Sequence, residues 1–175
     1  MNRRAAGQGF GLAELMVVVL IIGVLPALVL PAGLAQLQRQ RLKAVLLGLA
    51  GWLEEVRRSS LRGNGCPVEI ITGANLSADA VLAQGAAGTA EGCASRLPFR
   101  LPEAVAGDRF TVSVTPASSF RFTPRGTKRP AADVVITISG NGYSGGMARC
   151  LRLNGLLGAI ELGAVQAGSC QVTRF

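Results

Sequence analysis

Residues 9–35 read GFGLAELMVVVLIIGVLPALVLPAGLA and contain the longest uncharged apolar stretch in a chain of 175 residues. From residue 15 to residue 35 there are 21 consecutive positions without a formal charge. As an α-helix they would extend about 31 Å, close to the ~30 Å hydrocarbon thickness of a bilayer. A secretory signal peptide has a shorter apolar core, roughly 7–15 residues, before its cleavage site. The stretch therefore predicts a membrane-spanning helix that stays in the mature protein; a buried core helix is the alternative.

Charged residues near the start of this stretch predict the orientation of the helix in the membrane and a counterion for Glu14. Arg3 and Arg4 are the only charged side chains before residue 10. Positive residues beside a first span tend to remain in the cytoplasm, so the rest of the chain should lie outside. Glu14 lies at the edge of the apolar run, and a carboxylate in mid-bilayer costs about 2.5–3.5 kcal/mol on insertion scales. We therefore expect Glu14 to have a partner of opposite charge.

The order of glycine, aromatic residue, acid and apolar run in residues 9–23 resembles the class III signal of type IV pilins and type II secretion pseudopilins. In that family a prepilin peptidase cuts after the glycine, and the new amino-terminal residue is N-methylated. The resemblance implies a leader at residues 1–9, cleavage between Gly9 and Phe10, and methylation of Phe10. It also implies that Glu14 meets the free α-ammonium group of a neighbouring subunit, and that the helix loosens at Pro31 during assembly.

The segment after the apolar run has the period of an amphipathic helix. Apolar residues recur there at spacings of three and four: Leu42, Val45, Leu49, Trp52 or Leu53, and Val56. Glu54 can pair with Arg58 one turn later. We predict one helix over residues 10–62, transmembrane over 10–35 and an amphipathic stalk over 36–62 that packs on a globular head. A freely solvated basic helix is the alternative.

Residues 63–175 have mostly strand patterns and predict a single small head. Alternation of β-branched residues between Gly, Pro, Asn and Ser is typical of antiparallel strands. The predicted strands are residues 67–72, 109–115, 119–122, 133–139, 148–153 and 158–162. A short helix capped by Ser77 is predicted over residues 75–84. The expected fold class is α+β: a long N-terminal helix packed on a small, antiparallel, β-sandwich-like head.

Four cysteines, Cys66, Cys93, Cys150 and Cys170, favour disulfides in an oxidising compartment. Four cysteines allow three pairings, and the sequence alone does not choose among them. We favour Cys66–Cys93 and Cys150–Cys170, because each would close a local loop. The chain has no Cys-x-x-Cys pair, the spacing that a zinc site prefers, so no metal and no cofactor are expected.

Motifs in the head resemble the minor pilin group that contains the H-type pseudopilin and the FimT protein. They are residues 122–126, FTPRG, and residues 149–158, RCLRLNGLLG. The resemblance implies a β-sandwich-like head stacked beside the long helix. Some FimT-like proteins bind DNA through a basic carboxy-terminal motif, but residues 154–161 here contain no arginine. The DNA-binding residues of that group therefore do not carry over to this chain.

A separate basic cluster lies close to the first of these motifs: Arg121, Arg125, Lys128 and Arg129. Phe120 and Phe122 are interleaved with these cations. Such a loop could contact phosphates, with an affinity that falls steeply as salt rises. The alternative is a solvated turn between two strands, with both phenylalanines buried beneath it.

Composition narrows the classes of function. The chain carries 18 Lys and Arg against 10 Asp and Glu, a formal charge of +8, with no histidine and a mean hydropathy of +0.39. Without histidine the Ser-His-Asp and Cys-His arrangements are excluded, and no paired-acid motif stands out, so an enzyme is not expected. We predict a minor pilin or pseudopilin, a structural subunit of the bacterial inner membrane with its head in the periplasm before it enters a filament. Its partners would be other pilins and the prepilin peptidase; a DNA-binding minor pilin for DNA uptake and a type II secretion pseudopilin are the alternatives.

Overall fold

A computed structural model describes residues 11–63, 65–85, 98–143, 146–155 and 157–172, without the side chains of residues 24–32 and 104. The predicted cleavage site at Gly9 and Phe10, the side chain of Pro31, and Cys93 therefore lie outside the described residues. The chain divides into two compact units, one ending at Leu37 and one beginning at Gln38.

A single long helix, α1, runs from Leu12 to Ser60. In the first unit every described side chain from residue 11 to residue 23 is exposed, although most of them are apolar. Within the described residues no helix combines the length and the apolar character needed to cross a bilayer. The predicted span over residues 10–35 includes Phe10 and the side chains of residues 24–32, which are not described, and it stays a prediction.

In the second unit α1 packs on the head through the predicted apolar face. The buried side chains recur at helical spacing: Leu42, Val45, Leu46, Leu49, Leu53 and Val56. Leu53 is buried whereas Trp52 is only partly buried at the edge of the core, so the structure chooses between the two candidates at this turn. Glu54 Oε1 lies 3.5 Å from Arg58 Nε, as the spacing predicted. The helix ends at Ser60, two residues before its predicted end, and it packs on the head through the apolar side chains of residues 42–56.

Eleven strands are described in the head, and they form two antiparallel sheets. They are β1 Cys66–Ile70, β2 Gly73–Leu76, β3 Val81–Gly85, β4 Phe99–Arg100, β5 Phe110–Thr115, β6 Ser119–Phe122, β7 Lys128–Arg129, β8 Val134–Gly140, β9 Ala148–Leu153, β10 Ile160–Gln166 and β11 Ser169–Val172. One sheet has the order β4-β3-β1-β6-β7, and the other has the order β11-β10-β9-β8-β5-β2. Buried side chains from both sheets and from α1 form one core cluster. The α+β class with an antiparallel head is confirmed.

The helix predicted over residues 75–84 is wrong. Its residues form β2 and β3 instead, and Ile70 of β1 lies opposite Ala83 of β3. Asn75 and Asp79 have φ values of 60° and 66°, in the left-handed region that interrupts a right-handed helix. Cross-strand pairing and the burial of Leu82 therefore outweigh the helical propensity of the alanines in this segment.

Cys150 of β9 and Cys170 of β11 form a disulfide, with Cα atoms 5.8 Å apart. This pairing is one of the two that we favoured. The two strands are not neighbours, because β10 lies between them in the sheet. Gly163 of β10 lies opposite Cys150, and a Cβ atom there would come within 3.1 Å of Cys150 Sγ. Cys66 is also disulfide-bonded, and Cys93 lies outside the described residues.

Candidate functional site

The first candidate region is the start of α1, where Glu14 lies in the first turn. An acid in the first turn interacts favourably with the helix dipole. Glu14 makes no ion pair with any described residue, and the apolar side chains around it are exposed, Leu12 at 77% and Met16 at 66%. A helix that is apolar on all sides is normally buried in a protein core or in a membrane. This segment therefore presents an exposed apolar surface with a single carboxylate at its start.

The second candidate region is the basic hairpin, which we define as residues 119–129: β6, the turn at 123–127, and β7. Alternation along β6 sends Phe120 and Phe122 into the core and Arg121 to the opposite face. The two phenylalanine rings meet edge to face, with centroids 5.6 Å apart. Arg121 is paired with Arg129 of β7, so these two arginines are direct cross-strand neighbours.

Lys128 does not belong to the exposed basic surface, which corrects the cluster predicted from the sequence. It is opposite Phe122 and only 2% exposed. Its Nζ donates hydrogen bonds to the carbonyl oxygens of Pro130, at 2.6 Å, and Ala132, at 2.5 Å. Burial lowers the pKa of Lys128, and the nearby Asp133 carboxylate partly opposes this shift. Lys128 holds the chain that follows β7, and it cannot reach a phosphate in solution.

The turn of the basic hairpin is fixed by the end of α1. Arg57 Nε donates to the carbonyl oxygen of Gly126 at 2.9 Å, and Arg57 Nη2 donates to that of Leu157 at 3.0 Å. Ser60 Oγ lies 2.6 Å from the carbonyl oxygen of Arg57 and 3.0 Å from that of Thr123, and it can donate its single proton to either. Gly126 has φ 72°, and a Cβ atom there would come within 3.1 Å of a Leu61 methyl group. The exposed Arg125 therefore projects from a turn that is held in place on two sides.

Arg121, Arg125 and Arg129 are exposed, and none of the three forms an ion pair within the described part of the chain. The nearest acid on β1, Glu69, accepts a hydrogen bond from Gln84 instead, at 3.1 Å. Like charges directly opposite on neighbouring strands are destabilising. Each guanidinium offers a planar set of donors that matches a carboxylate or a phosphate. The hairpin could therefore bind an anionic group on its outer face.

The anchoring role of Arg57 was missed in the sequence, where this residue only covers the polar side of the stalk. Its two carbonyl partners are 69 and 100 positions away, so no local pattern indicates them. Among the described residues there is no group of three or more His, Cys, Asp or Glu side chains that could hold a metal ion.

Comparison with known proteins supports the fold. No protein-family model matches the chain, and no curated protein matches it either. The structure is similar to crystal structures of the type IV minor pilin FimU from Pseudomonas aeruginosa. For the crystal form in space group P21 the TM-score is 0.52 at 18% identity, over 75% of this chain and 97% of that chain. For the form in P65 the TM-score is 0.52 at 17% identity, over 73% of this chain and 100% of that chain. The chain therefore has a pilin-like fold.

Proposed function

We propose that this chain is a minor type IV pilin or pseudopilin, a structural and non-enzymatic subunit of the bacterial inner membrane with its head in the periplasm. A prepilin peptidase would cut between Gly9 and Phe10, and the subunit would then enter a filament through α1. The single observation that carries the proposal is the exposed apolar start of α1 with one acid that has no ion-pair partner among the described residues, in a chain with a pilin-like head. The fold alone does not assign this role, but the class III signal resemblance and the exposed segment point to the same assembly.

The carboxylate of Glu14 gives the proposal a physical mechanism. In a low-dielectric helix bundle an unpaired carboxylate is costly, and a charge-assisted pair with an ammonium group offsets that cost. Cleavage would create such an ammonium group on Phe10. An adjoining subunit could then supply the counterion that Glu14 lacks among the described residues of its own chain. The pair would set the stagger of one helix against the next.

Processing is tested by the mass of the amino terminus of the protein purified from cells. We expect the native chain to begin with methylated Phe10, and Gly9→Val to leave an uncut precursor. The matched control is Gly23→Val, since Gly23 also lies in the first unit and a Cβ atom there would have nothing within 4 Å. A native protein that still begins with Met1, or a Gly9→Val variant that is cut normally, contradicts the proposal.

Assembly is tested separately by substituting the acid. Glu14→Gln keeps the size of the side chain and removes its charge, so we expect it to be processed but to enter sheared filaments poorly. Glu55→Gln, an exposed acid of the stalk, is the matched control and should be incorporated normally. Normal incorporation of Glu14→Gln would show that no counterion pair sets the stagger.

Deletion strains scored for surface pili, for protein export and for DNA uptake would distinguish a pilus, a type II secretion pseudopilus and a competence machine.

DNA binding is the second candidate function, because the basic hairpin leaves three exposed arginines without counterions among the described residues. Replacing Arg121, Arg125 and Arg129 together by glutamine should weaken DNA retention. It should also lower the slope of log affinity against log salt by about 0.9 for each phosphate that the hairpin no longer neutralises. The control replaces three other exposed arginines, Arg58, Arg62 and Arg109, with the same change in net charge. Equal losses in both variants, or no DNA retention by the native protein, would reject this function.

A further inference from the structure

A groove of about 420 Å³ opens between the head portion of α1 and the strands β9 and β10. Two arginines line it: Arg39 of α1, which is exposed, and Arg149 of β9, which is half-buried. Its apolar wall includes Leu42, Met147 and Val165, and Gln166 lies at its rim. None of the described residues that line the groove is acidic. The groove thus combines two positive charges with an apolar wall.

We propose that this groove binds the headgroup of an anionic phospholipid, with the phosphate between Arg39 and Arg149 and the glycerol end against the apolar wall. This inference rests on the proposed membrane span. Guanidinium groups bind phosphate through charge-assisted, paired hydrogen bonds. The volume lies within the 300–1,000 Å³ that small-molecule sites occupy. Arg39 Nε donates to Met147 Sδ at 3.4 Å, which places the guanidinium beside the apolar wall.

The position of Arg39 in the sequence identifies the lipid as the source of the phosphate. Arg39 follows the predicted end of the apolar run, Ala35, by four residues. Four residues of helix rise about 6 Å. The headgroup layer on each side of the hydrocarbon core is about 5–7 Å thick, from ~40–45 Å for the whole bilayer and ~30 Å for its core. Along α1, Arg39 is therefore about one helical turn beyond the end of the proposed span, and an arginine near an anionic membrane surface contributes attraction to it.

The test uses the full chain in nanodiscs made of phosphatidylcholine alone or with one fifth phosphatidylglycerol. Native mass spectrometry counts the phosphatidylglycerol that the released protein retains. We expect Arg39→Gln with Arg149→Gln to retain about 25-fold less. Each arginine near the membrane surface contributes about 1 kcal/mol of binding free energy. Removing both costs about 2 kcal/mol, and every 1.4 kcal/mol lowers the affinity about tenfold. The matched control, Arg58→Gln with Arg62→Gln, changes the net charge equally and should retain as much as the native chain.

A second variant guards against a folding defect in the first. Gln166→Glu adds a carboxylate at the rim of the groove without changing side-chain size, and it should also lower retention while leaving the circular dichroism unchanged. Retention that is equal in all variants, or lowered equally by the control pair, overturns the proposal. So does displacement of the lipid by water-soluble glycerol phosphate at equal concentration, or a dimer that requires both arginines, which would assign the groove to a second copy.

The nanodisc experiment distinguishes failure of the lipid site from failure of the proposed function. A chain that does not enter even neutral nanodiscs refutes the membrane span and this lipid site with it. A chain that enters neutral nanodiscs but does not enrich phosphatidylglycerol refutes the site alone. Enrichment that is lost in the groove variants and kept in the control pair supports the site.

Discussion

Removing the hydroxyl of Tyr143 tests how the head is packed. Tyr143 is 7% exposed, in the connection between β8 and β9, and its ring meets that of Phe110 edge-on at 6.0 Å between centroids. The hydroxyl is buried and has no described acceptor within ordinary hydrogen-bond geometry, although, after burial, hydrogen bonding to the Asp108 carboxylate contributes to its raised pKa. A buried polar group without a partner costs about 1–3 kcal/mol. We therefore expect Tyr143→Phe, which keeps the ring and its contact with Gly140, to raise the free energy of unfolding by about 1 kcal/mol at pH 8.

The same burial makes stability depend on pH. Burial raises the pKa of Tyr143 to about 12, with the Asp108 carboxylate adding to the shift and Arg41 opposing it. Above pH 10 the unfolded chain loses the phenol proton while the folded chain keeps it, so the unfolded state binds fewer protons and stability falls as pH rises toward 12. From pH 9 to pH 11 this loss of stability is about 1 kcal/mol, and Tyr143→Phe does not have it.

The assay is urea unfolding of the full chain in non-ionic detergent at pH 8 to 11, followed by the fluorescence of the single tryptophan, Trp52. The difference between native chain and variant cancels the titration of other groups, including Lys128. Asp108→Asn is a second variant, and it should reduce the alkaline loss because the carboxylate contributes to the shift. Lower stability of Tyr143→Phe at pH 8 would show that the hydroxyl is bonded. If the free energy of unfolding falls equally with pH in the native chain and in Tyr143→Phe, the phenol ionises freely in the folded chain.

Three further substitutions are checked by the same unfolding measurement. Gly163→Ala would bring its Cβ atom within 2.3 Å of a backbone oxygen of β11, so we expect the free energy of unfolding to fall by about 2–3 kcal/mol. Its control, Gly51→Ala, lies in a helix with nothing within 4 Å and should gain up to about 1 kcal/mol. Arg57→Met removes two hydrogen bonds to carbonyl groups and should cost about 2 kcal/mol, whereas Arg58→Met should stay within about 0.5 kcal/mol. Arg121→Gln relieves a like-charge cross-strand pair and should raise stability by about 0.5 kcal/mol.

The parts of the fold that local pattern specifies were predicted from the sequence. The helical spacing from Leu42 to Val56 indicated the buried face of α1, because one stripe of an amphipathic helix must pack on a core. The strands Ser119–Phe122 and Ala148–Leu153 have the predicted bounds. Strand β10 begins two residues after its predicted start and runs on to Gln166, where the turn to β11 begins. Strand β11 was not predicted, since four residues with no alternating apolar pattern give little signal.

The segment that was predicted as a helix shows why local propensity fails in this head. Ala78, Ala80 and Ala83 favour a helix in isolation, and Ser77 is a good helix cap. What decides the conformation is pairing with β1, which lies earlier in the chain and buries Leu82. A single sequence contains no record of that pairing, nor of the left-handed backbone at Asn75 and Asp79 that interrupts a helix.

In the basic hairpin, the sequence predicts which side chains of β6 are buried, but it does not predict that Lys128 of β7 is buried. Alternation on β6 correctly buries both phenylalanines and exposes Arg121. Alternation does not assign Lys128 to the core unless the register of β7 is known. In the structure that register places Lys128 opposite the buried Phe122. The carbonyl groups that receive its ammonium belong to an irregular segment after a two-residue strand, and such a segment has no sequence periodicity. The four cations look alike in the sequence but differ in the structure. Lys128 is buried and stabilises the head, whereas the three arginines are exposed. Substituting Lys128 would lower stability, so any weakening of DNA binding in a variant that includes Lys128 would not identify a binding residue. A test of the hairpin is interpretable only when it is restricted to the three arginines.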